Sequence, residues 1–153
     1  MVAPEAPPPG ARTAGVVVDA SILLKLLLPE EGSEAVRRLW GQWVERDTEI
    51  VAPFLVAYEV GSVLRNKIFR KELPPEAGEA AFVAFRSLEV LLLHPDGIEE
   101  KVWELAKRWN LPTSYDAAYL ALAEMLEYEL WTADKRLAAA LRRKVSRLHV
   151  IAE

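Results

Sequence analysis

No cysteine occurs among the 153 residues, and histidine occurs only at His94 and His149. The first absence excludes a disulfide framework, a zinc ribbon, a thiol nucleophile and an iron–sulfur cluster. The second leaves almost nothing for an imidazole metal cage or a serine–histidine triad. An excess of positive charge is missing too, since 19 Lys and Arg face 23 Asp and Glu for a net −4. That balance argues against a strongly basic DNA-coating protein but leaves local basic patches open. If the chain does chemistry, carboxylates carry it.

Long hydrophobic runs are also lacking. The most apolar stretch, Ser21 to Leu28, is interrupted by Lys25 and is far too short to span a bilayer. The opening MVAPEAPPPGARTAG has no apolar core of a signal peptide. The expectation is therefore a cytoplasmic protein with no membrane partner. Amide side chains are scarce, with only Gln42, Asn66 and Asn110, a composition that suits a heat-adapted host.

What is present is an ordinary globular composition, 52% hydrophobic and 27% charged, long enough for one domain with its own core. Residues 1–14 hold four of the ten prolines and read as a disordered tail, leaving 15–153 as the domain. From there strands and helices alternate. Val16-Val17-Val18 is a β-branched run of the kind buried on both sheet faces. Further strands are expected at 49–52, 89–93, 130–132 and 147–151. Helices are expected at 20–28, 31–46, 54–71, 75–87, 97–109, 114–128 (opened by Ser114 as N-cap) and 134–144. Such alternation implies right-handed crossovers and a parallel sheet, with ligands gathering beyond the carboxyl ends of the strands.

Four acids fall where that rule directs attention. Asp19 follows the first strand and Asp134 follows Trp131-Thr132-Ala133; either could simply cap the next helix. Asp116 lies in the first turn of its helix, where a negative charge also complements the dipole. Glu59 has Leu55 one turn before it and Val63 one turn after, so it points toward apolar surroundings and wants a partner. A divalent cation is one candidate partner, and a salt bridge to Lys25 or an arginine is the other. Carboxylates brought together repel unless protons or a cation separate them. With hard oxygen donors alone, the cation would be Mg²⁺ or Mn²⁺, and the chemistry it suits is phosphodiester hydrolysis.

The blocks VVVDAS (Val16 to Ser21), IVAPFLVAYEVGSVL (Ile50 to Leu64), LPTSYDAAYLALAE (Leu111 to Glu124) and ELWTADKRL (Glu129 to Leu137) resemble, in order and spacing, the signature blocks of PIN-domain nucleases. Among these, VapC-type toxins of toxin–antitoxin pairs are the most similar. The resemblance covers nearly everything from Gly15 onward. It implies a three-layer α/β/α fold with a parallel sheet in the order 3-2-1-4-5. It carries the acidic quartet onto Asp19, Glu59, Asp116 and Asp134, with Asp19, Asp116 and Asp134 as metal ligands and Ser21 and Thr132 as supporting hydroxyls. It further implies Mg²⁺- or Mn²⁺-dependent endoribonuclease activity, a homodimer and a cognate antitoxin. The proline-rich tail and the five tryptophans lie outside that pattern.

Basic residues cluster at Arg65, Lys67, Arg70 and Lys71, and again at Lys135, Arg136, Arg142, Arg143, Lys144 and Arg147. Arg65 and Lys135 stand nearest the acids and are the candidates for contacting RNA phosphates. The tryptophans read as core or dimer-interface residues, and both histidines as structural. Two rival readings exist. A phospho-acceptor receiver domain would need paired early acids and an aspartate ending the third strand, where this chain has Val18 beside Asp19 and Leu93-His94. A non-catalytic PIN-like module that binds RNA or protein is the other. The four acids together equal the net negative charge of the chain, so a bound cation would leave a surface able to meet RNA.

Overall fold

The computed structural model describes residues 15–141 and 145–151. The expected tail at 1–14, and Arg142, Arg143 and Lys144 of the second basic cluster, lie outside the described residues. Twelve elements alternate along the described chain: β1 (Gly15–Val18), α1 (Ala20–Leu27), α2 (Ser33–Glu45), β2 (Glu49–Pro53), α3 (Leu55–Phe69), α4 (Pro75–Ser87), β3 (Leu91–Leu93), α5 (Ile98–Arg108), α6 (Tyr115–Leu126), β4 (Glu129–Thr132), α7 (Lys135–Leu141) and β5 (Leu148–Val150).

The strands form one sheet in the order β3-β2-β1-β4-β5, and every pairing is parallel. Val17 and Val18 of β1 are fully buried, as a central strand covered on both faces requires. The chain passes from β1 to β2 on one side and returns to place β4 on the other. The switch point therefore lies between β1 and β4, at their carboxyl ends. In register, Val18 pairs with Trp131, so the residues that follow these two strands emerge side by side.

Helix α6 packs across β1, β2 and β4, with α5 against it; α1 packs on β4 and touches α2, α3 and α4. Six residues of α6, Ala117 and Tyr119 to Ala123, are buried, matching the apolar reading of that helix. Helix ends follow local chemistry. Pro75 occupies the first turn of α4, where its missing N–H is harmless. Gly97 precedes α5 at φ +84°, a backbone conformation glycine adopts without penalty.

Several boundaries differ from the sequence expectation. Strand β3 is only Leu91–Leu93, because Glu89 and Val90 follow the end of α4 before pairing begins. Ser114 does stand at the N-cap position of α6, but its backbone is helical and its side chain makes no capping bond. Three tryptophans form a chain of ring contacts, Trp40–Trp43 at 5.9 Å and Trp43–Trp131 at 5.6 Å, that continues to His149 stacked 4.6 Å from Trp131. Trp103, in contrast, is 69% exposed.

Because α6 fixes the sheet from above the switch point, its buried leucines should dominate stability. Leu120 is fully buried, so Leu120→Ala is expected to destabilise the fold by about 2–5 kcal/mol. Urea unfolding measures this, and a loss under about 1 kcal/mol would contradict the packing described.

Candidate active site

Asp19 is the first residue beyond β1, and its backbone N–H still reaches the Trp131 carbonyl at 3.4 Å. Its side chain is turned inward and only 5% exposed. Three donors hold the carboxylate. Ser21 Oγ donates to Oδ1 at 2.5 Å, the Ile22 N–H donates to the same oxygen at 3.2 Å, and Thr132 Oγ1 donates to Oδ2. The capping reading of Asp19 holds, since the Ile22 bond caps α1.

The two hydroxyls also lock the neighbouring turn. Ser21 Oγ accepts the Ala133 N–H at 2.8 Å, and Thr132 Oγ1 accepts the Asp134 N–H at 2.9 Å. Thr132 is completely buried, which a threonine tolerates because its hydroxyl both donates and accepts. The β1–α1 and β4–α7 turns are thus one hydrogen-bonded unit with Asp19 at its centre. Asp134 in turn uses Oδ1 to accept the N–H groups of Arg136 and Leu137, at 2.9 and 3.3 Å.

Glu59 reaches the same end of the sheet from α3. The fully buried stripe of that helix is Val56, Val60 and Leu64, so Glu59 sits beside the stripe and is half-buried. Its hydrogen-bond partner is neither Lys25 nor an arginine, although Arg136 favours its charged form through space. Tyr119 Oη donates to Glu59 Oε1 at 2.8 Å, while Lys25 pairs with Glu30 at 3.8 Å. Tyr119 is a site residue that sequence reasoning missed. The signal was present, because a tyrosine in an otherwise aliphatic buried helix must find a partner for its hydroxyl.

Asp116, in the first turn of α6, meets Arg136. Its Oδ2 accepts from Arg136 Nη1 at 3.2 Å, and Arg136 Nη2 lies 3.5 Å from Asp134 Oδ2. Arg136 thus engages two of the four acids. Sequence reasoning placed Arg136 in the basic cluster without singling it out; it stands two residues beyond Asp134 and reaches back across it. Lys135 is exposed on the first turn of α7. Arg65 lies farther along α3, on a groove of about 410 Å³ that it shares with Tyr58, Phe82 and Arg86.

The electrostatics follow from this placement. Burial pushes the Asp19 carboxyl up to about 6, against the pull of its three donors, and Asp134 adds to the rise. Burial also raises Glu59; the Tyr119 bond opposes that, and Asp116 and Asp134 reinforce it. Burial and the neighbouring Glu59 hold the Tyr119 phenol in its protonated, donating form. Four carboxylates thus influence one another, and the Arg136 guanidinium lies among them. Among the described residues no three His, Asp or Glu form a closed ligand cluster. The donor set nevertheless suits a hard cation, being all oxygen, acid-rich and already gathering a positive group between Asp116 and Asp134.

The PIN domain family matches residues 16–142. The chain belongs to the PIN-domain family. A VapC ribonuclease of Mycobacterium bovis is 37% identical over 126 residues, covering 80% of this chain and 88% of that protein. Among solved structures, PAE2754 from Pyrobaculum aerophilum superposes with a TM-score of 0.65 at 23% identity, covering 93% of each chain. A toxin–antitoxin complex from Klebsiella pneumoniae gives 0.63 at 16% identity, covering 90% of this chain and 98% of that one. This PIN domain therefore shares its overall fold with these solved structures and over a third of its aligned residues with a VapC ribonuclease.

The raised Asp19 pKa has a direct consequence for stability. Below its ordinary value of 3.8 the group is protonated folded or unfolded; as pH rises through about 6 the folded form must ionise a buried acid. Stability is therefore lost across that window, by about 3 kcal/mol in all. In EDTA, Asp19→Asn should be the more stable protein at neutral pH and lose that advantage toward pH 4, as thermal melts across pH would show. A variant less stable than wild type at neutral pH would overturn this description.

Proposed function

We propose that this PIN domain is an Mg²⁺- or Mn²⁺-dependent endoribonuclease that hydrolyses RNA phosphodiester bonds and acts as the toxin of a toxin–antitoxin pair. The observation carrying the proposal is the gathering of Asp19, Glu59, Asp116 and Asp134 around the β1–β4 switch point, where each feels the charge of at least one other. The names of its relatives, ribonucleases of the VapC type, support the same reading.

In this reading Asp19, Asp116 and Asp134 hold the divalent ion. A bound Mg²⁺ or Mn²⁺ supplies neutralisation of the phosphate charge and a lowered pKa for the attacking water. Ser21 and Thr132 keep the Asp19 carboxylate in one orientation, so no reorganisation is needed when substrate arrives. Glu59, fixed by Tyr119, orients the water and accepts its proton. Attack in line breaks the bond from phosphorus to the 3′-oxygen, which leaves as a hydroxyl after protonation and leaves a 5′-phosphate on the other fragment. Arg65 lies on a groove beyond Glu59, where it can meet the flanking backbone of the RNA.

The cognate antitoxin is proposed on the family likeness and on the neighbour solved as a toxin–antitoxin complex. The homodimer has a physical support of its own. Phe54, Tyr58, Trp103 and Tyr115 are 45–78% exposed and line one groove of about 510 Å³ between α3, α5 and α6. Apolar surface of this kind marks an interaction face. No helix among the described residues is long and apolar enough to cross a membrane.

Two experiments test these readings. Purified, antitoxin-free protein should cut structured RNA with Mn²⁺ and not with EDTA, and Asp116→Asn should lower the rate by about 10²–10³-fold without unfolding. RNA binding with no metal-dependent cutting would instead establish the non-catalytic module. By light scattering, the wild type should have the molar mass of a dimer and Trp103→Asp that of a monomer; a monomeric wild type would refute the interface.

A further inference from the structure

Arg136 occupies a place that a spectator of the surface would not. The Oδ1 atom of Asp134 is held by the backbone N–H groups of Arg136 and Leu137. That leaves Oδ2 as the oxygen turned to the guanidinium, at 3.5 Å from Nη2. The other branch, Nη1, donates to Asp116 Oδ2 at 3.2 Å. One side chain therefore ties an acid on α6 to an acid on the β4–α7 turn, although the two acids are eighteen positions apart in the chain.

The strength of that tie sets what it can do. The Arg136 side chain is 67% exposed, against 18% for Asp116 and 33% for Asp134. Ion pairs made by an exposed arginine contribute about 0–1 kcal/mol, because water screens the charge and a long side chain loses rotamer freedom. A divalent ion on the same oxygens is a far larger local charge. Two cations cannot share two carboxylate oxygens without strong repulsion. The guanidinium is the one that can leave, since it is mobile, exposed and weakly held.

We propose that Arg136 and the divalent cation compete for Asp116 Oδ2 and Asp134 Oδ2, and that the displaced guanidinium becomes the anchor for an RNA phosphate beside the cut. The second half rests on the nuclease reading above; the first does not. Guanidinium suits both partners, because its planar fork matches carboxylate and phosphate oxygens alike. The arrangement makes metal loading and substrate capture one event. With metal bound, the arginine exchanges two carboxylates for a phosphate, and the site's positive charge faces outward. Asp116 and Asp134 meanwhile stay close enough together for the incoming ion to find both.

Calorimetric titration of Mn²⁺ into the full chain separates the two halves. Arg136→Ala should bind Mn²⁺ about three- to tenfold more tightly than wild type, the fold-change expected when one or two exposed ion pairs no longer compete. Arg136→Lys, which keeps the charge but not the fork, should fall between them. As Mg²⁺ is titrated, the Arg136 Nε–Hε resonance should move toward the position of an unpaired arginine in step with saturation. At saturating metal, Arg136→Ala should raise KM for RNA with kcat unchanged, and Arg136→Lys should restore part of the loss. Unchanged or weaker Mn²⁺ affinity in Arg136→Ala, or an Arg136 resonance indifferent to Mg²⁺, overturns the competition. An unchanged KM overturns the phosphate anchor alone. No cutting by wild type refutes the nuclease reading while the titrations still decide the competition.

Discussion

A carboxylate withdrawn from water must be kept ionised by donors or by a cation, and the site of this PIN domain is arranged around that requirement at Asp19. Burial favours its protonated form, and Ser21, Thr132 and the Ile22 N–H resist that tendency without overcoming it. The same two hydroxyls accept the N–H groups of Ala133 and Asp134. Satisfying one acid therefore also fixes the turn that carries the second. The hydroxyls can do both because each has a proton to give and lone pairs to receive. An apolar replacement at Thr132 would leave a buried carboxylate oxygen and a backbone N–H unpaired at once.

Around this rigid centre the remaining acids are held progressively more loosely. Glu59 accepts a hydrogen bond from a phenol of α6, and Asp116 one from a guanidinium at the protein surface. The gradient runs from a buried carboxylate held by fixed donors to carboxylates paired with an exposed, exchangeable side chain. Such an order places orientation at the sheet edge and adaptability toward solvent, where an ion and an RNA backbone would have to enter. Stability is sacrificed in the process, since the fold would be steadier at neutral pH with an uncharged residue at position 19.

Much of this was legible in the sequence, and the reasons are specific. Val16-Val17-Val18 announced a doubly covered strand, and the alternation of elements announced a parallel sheet whose carboxyl ends carry Asp19 and Asp134. The family resemblance added the strand order 3-2-1-4-5, which the structure has. What stayed hidden depends on contacts between distant segments. Periodicity placed Glu59 among apolar neighbours but could not show Tyr119, sixty residues away, rising to meet it. Arg136 lies two residues past Asp134, and only the first turn of α7 brings its guanidinium back onto Asp116 and Asp134. Ser114 illustrates the reverse error: the right residue at the right position, with a helical backbone and no capping bond from its side chain.

The central claim is that the acids at the β1–β4 switch point form a cation site. Crystals grown with Mn²⁺ and measured at the manganese absorption edge test it most directly. A cation site there gives an anomalous peak in contact with Asp116 and Asp134, adjoining Asp19, with the Arg136 guanidinium displaced from both carboxylates. A map with no peak there at saturating Mn²⁺, and Arg136 still bridging the two acids, would contradict it.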